Sequence, residues 1–318
     1  MSCKSSSAAG EISDKLELAM LLEVSAHPKP GNVHRTRDYE ETSYEHYLAS
    51  AVASGAHFER AAQRGILLSS GAISPKEVCV GSLIRDAVVS TLAAQRGGNT
   101  SLGTLTLLVP IAVAAGMTLG RSHHTSLARM RNNLRGVVRR TSVTDAVAFY
   151  EAVVRAKPGG LGRVEALDVQ KPDSRLEIIR RKMNLFQIFK LAANRDSICS
   201  EWITDYEITF GLGYPYFERQ LSKTGNLNEA TVNTYLRVLS KMPDTLIARK
   251  AGLQRARWVS KRAREALDLG GASSNAGLKE IHRLDEELIA NRHLLNPGAT
   301  ADITAAILSV ALLSGYRP

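Results

Sequence analysis

Residues 105–119 read LTLLVPIAVAAGMTL, a run without a charged side chain that is interrupted by Pro110 and Gly116. A helix that crosses a bilayer needs roughly 20 apolar residues, and this run falls short. Its apolar residues occupy every face of a helix instead of one stripe, which is the pattern of a helix buried on all sides within a protein. Residues 303–315, ITAAILSVALLSG, are shorter still and read the same way. No membrane span is expected from either. Two helices without a polar face need other helices to cover them.

The rest of the chain supplies that cover. Leu16, Met20, Leu21 and Val24 fall on one helical face, with Ser13, Asp14 and Glu17 suited to a helix start. Tyr44, Tyr47, Leu48, Ala51 and Val52 repeat at three and four, as do Val78, Leu83, Ile84, Ala87 and Val88. Leu176, Ile179, Met183, Phe186 and Phe189 continue the period, and residues 228–241, 254–269 and 275–294 are helical in pattern and composition. No series of alternating strands and no hairpin signal is present; a short extended piece near residues 163–169 is the one exception to expect. The fold class that follows is all-α, a single globular helical domain of about ten or more helices. Residues 1–12 read as a flexible N-terminal arm and residues 13–318 as that one domain.

The 318 residues are 44% hydrophobic and 23% charged, which excludes a disordered or collagen-like chain. The N-terminal stretch is polar and lacks the apolar centre of a signal peptide. Cys3, Cys79 and Cys199 are too far apart and too few for a disulfide framework, so a cytoplasmic location is expected. The net charge of +10 admits nucleic acid, an anionic membrane surface or a small polyanion as partner. Much of it sits in two clusters. One holds Arg121, Arg129, Arg131, Arg135, Arg139 and Arg140 with His123 and His124; the other holds Arg255, Arg257, Lys261, Arg262 and Arg264. Aromatic residues for base stacking are scarce and no nucleic-acid module is present. Solvated helix faces are the plainer account, and nucleic acid is not the expected partner.

Three short segments concentrate reactive residue types, and two more carry acids. The first, EVSAHPKPGNV at residues 23–33, places His27 and Lys29 each before a proline, which favours extended backbone. Residues two apart then point the same way, so an imidazole and an ammonium would share one side before Gly31 permits a close approach. Lys29 would be a point charge for phosphate; the alternative is a rigid connector between helices. The second, GGNTSLG at residues 97–103, precedes the apolar helix and is either an anion-binding turn or a tight turn capped by Asn99 or Thr100. The third, NPGATAD at residues 296–302, opens the C-terminal helix, with Thr300 as cap and Asp302 in the first turn. Asp302 complements the helix dipole or, near so much apolar surface, takes a Mg²⁺ ion as partner. Acids also occur in RDYEET, residues 37–42, and in DTLIARKAG, residues 244–252, as solvated turns or parts of a site.

Taken together and in this order, EVSAHPKPGNV, Gly98-Asn99-Thr100 with Gly103, Asp244-Thr245 with Arg249 and Gly252, and Asn296-Pro297-Gly298 with Ala301-Asp302 resemble the triphosphoribosyl-dephospho-CoA synthase family. The resemblance spans residues 15–316 and is similar to a divergent, archaeal-type branch. It implies an all-helical, Mg²⁺-dependent transferase domain that joins ATP to 3′-dephospho-CoA and releases adenine. It implies acid–base work for Glu23 or His27. Substrate contacts would come from Lys29, Gly31, Gly98, Asn99, Thr100, Asp244, Arg249, Asn296 and Gly298. Metal binding would fall to Asp302 with Glu41 or Asp244. Three departures stand out. Ser101 and Leu102 occupy the place of the family's His-Lys pair, residues 38–42 replace a Gly-x-His-x-Asp-Met segment, and Arg249-Lys250-Ala251-Gly252 replaces an Arg-Gly-Gly ending. These changes leave two alternatives. One is a different acceptor in cofactor biosynthesis, such as the tetrahydromethanopterin pathway, and the other is a non-catalytic protein that binds nucleotide or RNA.

Overall fold

The computed structural model describes residues 3–119, 126–162 and 167–318. Fifteen α-helices lie among them: α1 (Cys3–Ser25), α2 (Tyr44–Ser69), α3 (Val80–Ala94), α4 (Leu102–Leu119), α5 (Leu127–Arg139), α6 (Val143–Ala156), α7 (Ser174–Arg181), α8 (Leu185–Ala192), α9 (Ser197–Ile203), α10 (Tyr214–Thr224), α11 (Leu227–Lys241), α12 (Thr245–Ala251), α13 (Leu253–Asp268), α14 (Asn275–Ile289) and α15 (Gly298–Leu313). Among the described residues there is no β-strand, only a bridge between His34 and Arg37. The all-α expectation therefore holds.

α4 and α15 are the two apolar runs, and both lie in the core. α4 is the one described helix long and apolar enough to cross a membrane, and 78% of it is buried beneath the rest of the protein. α2 crosses α4 closely, because two glycines face the opposing backbone. A Cβ on Gly65 would lie 2.0 Å from the Val113 carbonyl oxygen, and one on Gly116 would lie 2.1 Å from that of Ala62. Pro110 sits inside α4 and donates no N–H, which leaves the carbonyl four residues earlier without its helical partner. Trp202 of α9 fills that gap: its Nε1–H donates to the Thr106 oxygen at 3.1 Å. The Tyr206 hydroxyl adds a bond to the Leu107 carbonyl at 3.2 Å.

The main core draws on α1–α10 and α15 with Ala230 and Val238 of α11, and a second apolar cluster joins α11 to α14 through Tyr235, Leu236, Ile247, Val259, Ile281, Leu284 and Leu288. Ala299 belongs to the first cluster and Ala301 to the second, so the start of α15 lies at the seam.

Several boundaries differ from the sequence expectation. α1 already begins at Cys3, and Ala9 and Ile12 are buried in the core instead of lying in an arm over 1–12. The single periodic stretch around Leu176–Phe189 is two helices. Lys182 takes a left-handed conformation (φ 53°) at the end of α7, and Asn184 opens α8 with a reciprocal cap to Gln187. α14 stops at Ile289 and is followed by a separate 3₁₀ turn, Arg292–Leu295. Of the extended piece expected at 163–169, residues 163–166 lie outside the described residues, and 167–169 form a bend and turn.

The Trp202 bond predicts a specific non-additivity. Trp202→Phe lowers stability by about 1–3 kcal/mol beyond its volume loss, because a buried carbonyl loses a donor. In a Pro110→Ala background, residue 110 donates its own N–H to Thr106, and denaturant unfolding should show a smaller loss for the same Trp202→Phe change.

Candidate active site

A cavity of about 120 Å³ opens at the seam between the two apolar clusters. Its wall takes Met20 and Glu23 from α1, Asn32 from the following loop and Tyr47 from α2. Residues 99–104 contribute from the Gly-rich turn and the start of α4. Leu246 of α12 and Asn296, Gly298, Ala301, Asp302 and Ala305 around the start of α15 complete it. Segments far apart in sequence are thus drawn to one place.

The local folding explains how. Asn99 caps α4, its Oδ1 accepting from the Leu102 N–H at 3.1 Å, while Thr100 bonds Ser50 of α2 at 2.7 Å. The N-terminus of α4 faces the cavity, and a helix N-terminus favours anions. Gly103 leaves room for the Asp302 carboxylate, since a Cβ there would lie 2.0 Å from Oδ2. The Thr104 hydroxyl donates to Asp302 Oδ1 at 2.5 Å. Asp302 lies beyond the first turn of α15, and Thr300 is not its cap. The cap comes from Asp244, whose Oδ2 accepts from both the N–H and the hydroxyl of Thr300 at 2.7 Å. The Oδ1 atom of Asp244 accepts from Leu246 N and Ile247 N at 2.8 and 3.2 Å. One buried carboxylate therefore closes the starts of α12 and α15 together.

The electrostatics of the wall are unusual. Burial pushes the Asp302 carboxyl up to about 8, the Thr104 hydrogen bond opposes this, and the charges of Glu23 and Asp244 add to it. Burial likewise raises the Glu23 carboxyl, with Lys29 pulling against it. Tyr47 lies under the field of both acids, which together with burial keeps its phenol well above the ordinary value. Among the described residues no Lys, Arg or His side chain lines the cavity. The Asn296 Oδ1 atom is buried without a hydrogen-bond donor and stands ready to accept from a ligand N–H or O–H.

Glu23, Asn99, Thr100, Asn296, Gly298 and Asp302 are the sequence candidates that the cavity brings together. The others lie elsewhere. Lys29 is wholly buried beneath the wall and points at Glu23, so it does not present a charge on the loop surface. His27 is half-buried where Lys29 is wholly buried, and it does not line the cavity; its backbone is bonded in both directions to the Asn228 amide. Gly31 (φ 73°) admits protein and not ligand, because a Cβ would meet Leu288 at 2.6 Å. Gly98 has its left-handed φ of 73° within the turn and does not reach the wall. Arg249 binds the Gly160 and Arg195 carbonyls and Asp196. Glu41 is exposed in the loop and joins no metal-binding group with Asp302; among the described residues no cluster of three metal-ligating side chains exists. Asn32, Tyr47 and Thr104 were not singled out. Asn32 ends the HPKPGN segment, but nothing in the sequence marks Tyr47 as more than a core residue.

The basic clusters do not face the cavity. Arg131, Arg135 and Arg139 pair with Glu207 and Asp205, and Arg262 pairs with Glu265, Glu280 and Glu287. Arg121, His123 and His124 lie outside the described residues.

Residues 9–318 match the family pattern of ATP:dephospho-CoA triphosphoribosyl transferase, and the chain belongs to that family. A 2-(5″-triphosphoribosyl)-3′-dephosphocoenzyme-A synthase from Klebsiella pneumoniae is 36% identical over 91 residues, which is 29% of this chain and 30% of that one. The matched part thus spans about a third of that relative. A protein from Pseudomonas fluorescens named a probable synthase of the same kind is 24% identical over 95% of this chain and 91% of its own. A solved structure from Archaeoglobus fulgidus that carries a triphosphoribosyl-dephospho-CoA synthase name shares the fold. Its TM-score is 0.62 at 23% identity, covering 85% of this chain and all of that one.

The raised Asp302 carboxyl has a consequence for stability. A carboxyl held above its unfolded value binds a proton that the unfolded chain has released, so its cost to folding accumulates as pH rises from about 4 toward about 8. Asp302→Asn removes that cost and keeps an acceptor for Thr104. In EDTA, the variant should melt a few degrees above the parent chain at neutral pH, with the gap growing between pH 5 and 8 in a thermal-shift series.

Proposed function

We propose that the chain transfers the triphosphoribosyl group of ATP to the 2′-hydroxyl of 3′-dephospho-CoA and releases adenine. The observation that carries this reading is the convergence of motif residues from three of the family segments, with Leu246 from the fourth, on one cavity with two carboxyl groups in its wall. In this reaction the bond from C1′ to adenine breaks and a bond from C1′ to the acceptor oxygen forms. Positive, oxocarbenium-like charge develops at C1′ on the way, and nearby carboxylates stabilise it. Glu23, kept on the wall with a raised proton affinity, is the group suited to receive the proton of the acceptor hydroxyl, and adenine takes up a proton at the nitrogen freed from C1′, so no net proton is gained or lost once Glu23 gives its own back. The N–H groups at the start of α4 are placed for phosphate oxygens. Asn296 Oδ1 accepts from a sugar hydroxyl or the base edge.

The donor set also fits Mg²⁺. The wall carries acid without a lining base, and Mg²⁺ is held by one or two carboxylates together with substrate phosphates. Asp302 is the ligand from this chain, with Glu23 beside it. When bound, the ion neutralises the triphosphate. A cytoplasmic location, where ATP is supplied, belongs to the same reading.

A second reading keeps ATP and changes the acceptor. Ser101 and Leu102 lie in the wall where the family's usual His-Lys pair would add two ionisable groups. Another cofactor precursor, such as one for tetrahydromethanopterin, would then be the acceptor.

Chromatography of free adenine separates the readings. Release from Mg-ATP only when 3′-dephospho-CoA is present supports the first, and release only with another acceptor supports the second. Absence of release with either, together with tight nucleotide or RNA binding, rejects the enzyme reading. In calorimetry, Asp302→Ala should abolish the Mg²⁺-dependent part of ATP binding; unchanged binding removes Asp302 from that role.

A further inference from the structure

We infer that Lys29 is a positioning residue: it fixes the Glu23 carboxylate from inside the protein and makes no contact with the phosphates. The inference rests on the cavity being the active site. Lys29 has no exposed surface, whereas Glu23 reaches the cavity wall and Lys29 does not. Its Nζ donates to the Glu23 backbone carbonyl at 2.8 Å and to Glu23 Oε1, so two of its three N–H groups serve one residue. Because Glu23 lies in the last turn of α1, the ammonium also sits where a helix C-terminus favours a cation. The field of Asp302 reaches it as well. Burial works against the charge of Lys29, and the fields of Glu23 and Asp302 support it, so both acids of the wall act on one internal lysine.

The loop holds that counter-charge in place without help from a ligand. Pro28 and Pro30 restrict the backbone on either side of Lys29. His27 is tied to Asn228 by two hydrogen bonds, at 2.9 and 2.6 Å. The Pro30 carbonyl accepts from the Tyr235 hydroxyl at 2.8 Å. The Gly31 N–H donates to Asp285 at 2.9 Å, and its carbonyl accepts from the Tyr39 hydroxyl at 2.8 Å. A lysine intended for phosphate would keep its flexible stem and its charge at the surface. Burying an ammonium is costly and seldom adds net stability over an apolar residue. What this burial achieves is a single fixed orientation for the reactive carboxylate.

The test is a cycle of Lys29→Met, Glu23→Gln and the double variant. It is read by adenine release, by calorimetry with ATP and with AMP, and by thermal unfolding. Lys29→Met alone should lower kcat by about 100-fold, the scale of a misplaced general base. It should leave the ratio of ATP to AMP affinity within about twofold. In the Glu23→Gln background the same change should cost less than about twofold in kcat, since the group it acts through is gone. The double variant should also unfold at a higher temperature than Lys29→Met, because Glu23, which loses both hydrogen bonds from Lys29, is then no longer a buried acid. A fall of about tenfold or more in the ATP-to-AMP ratio, or losses in kcat that add, overturns the inference. If the parent chain releases no adenine, the reaction assignment fails, and the affinity ratio with the unfolding cycle still decides Lys29. If Lys29→Met does not fold, the uncharged double variant supplies the affinity ratio.

Discussion

A helix buried on all sides must satisfy its backbone from within or borrow from its neighbours, and α4 is such a helix. Pro110 removes one of its donors, and the indole of Trp202 bonds the carbonyl left over. Glycines at the crossing with α2 let the two backbones come together without side chains between them. With α4 held in this way, its first turn can end at the cavity, where Asn99 caps it and Gly103 yields space to Asp302. The position of the site follows from the packing of the core.

The chemistry of the site is a balance among few charges. Glu23 and Asp302 stand in the wall, Lys29 stands behind it, and no basic side chain among the described residues lines the opening. The +10 charge of the chain plays little part here. Arg131, Arg135 and Arg139 of α5 and Arg262 of α13 are engaged with carboxylates away from the cavity. A polyanion entering this cavity would meet the N-termini of α4 and α15 together with acid.

Much of the fold was legible because helix periodicity and the apolar runs follow from local physics. Residues 105–119 and 303–313 are core helices for the reason their composition suggests. The site was legible through three short segments, of which six candidate residues meet at the cavity. Side-chain direction was not legible. The alternation that places His27 and Lys29 on one side assumes a regular extended strand; the actual loop is pulled inward at Gly31 by Asp285 and Tyr39, residues distant in sequence or pointing back from the next turn. The family resemblance offers Asp244 as a substrate or metal contact, and only the position of Thr300 decides that its carboxylate joins two helices. Lys182 splitting α7 from α8 was equally invisible, since a left-handed lysine carries no mark in composition.

The carboxylate of Asp244 is also a mechanical coupling. It binds the first turn of α15 to that of α12, and α12 in turn grips the Gly160 and Arg195 carbonyls and Asp196 through Arg249. Thr245 at the start of α12 bonds the first residue of α9. The wall that carries Asp302 is therefore joined by an unbroken series of hydrogen bonds to α12, the head of α9 and the outer loop at Gly160, a stretch of surface that never touches the cavity.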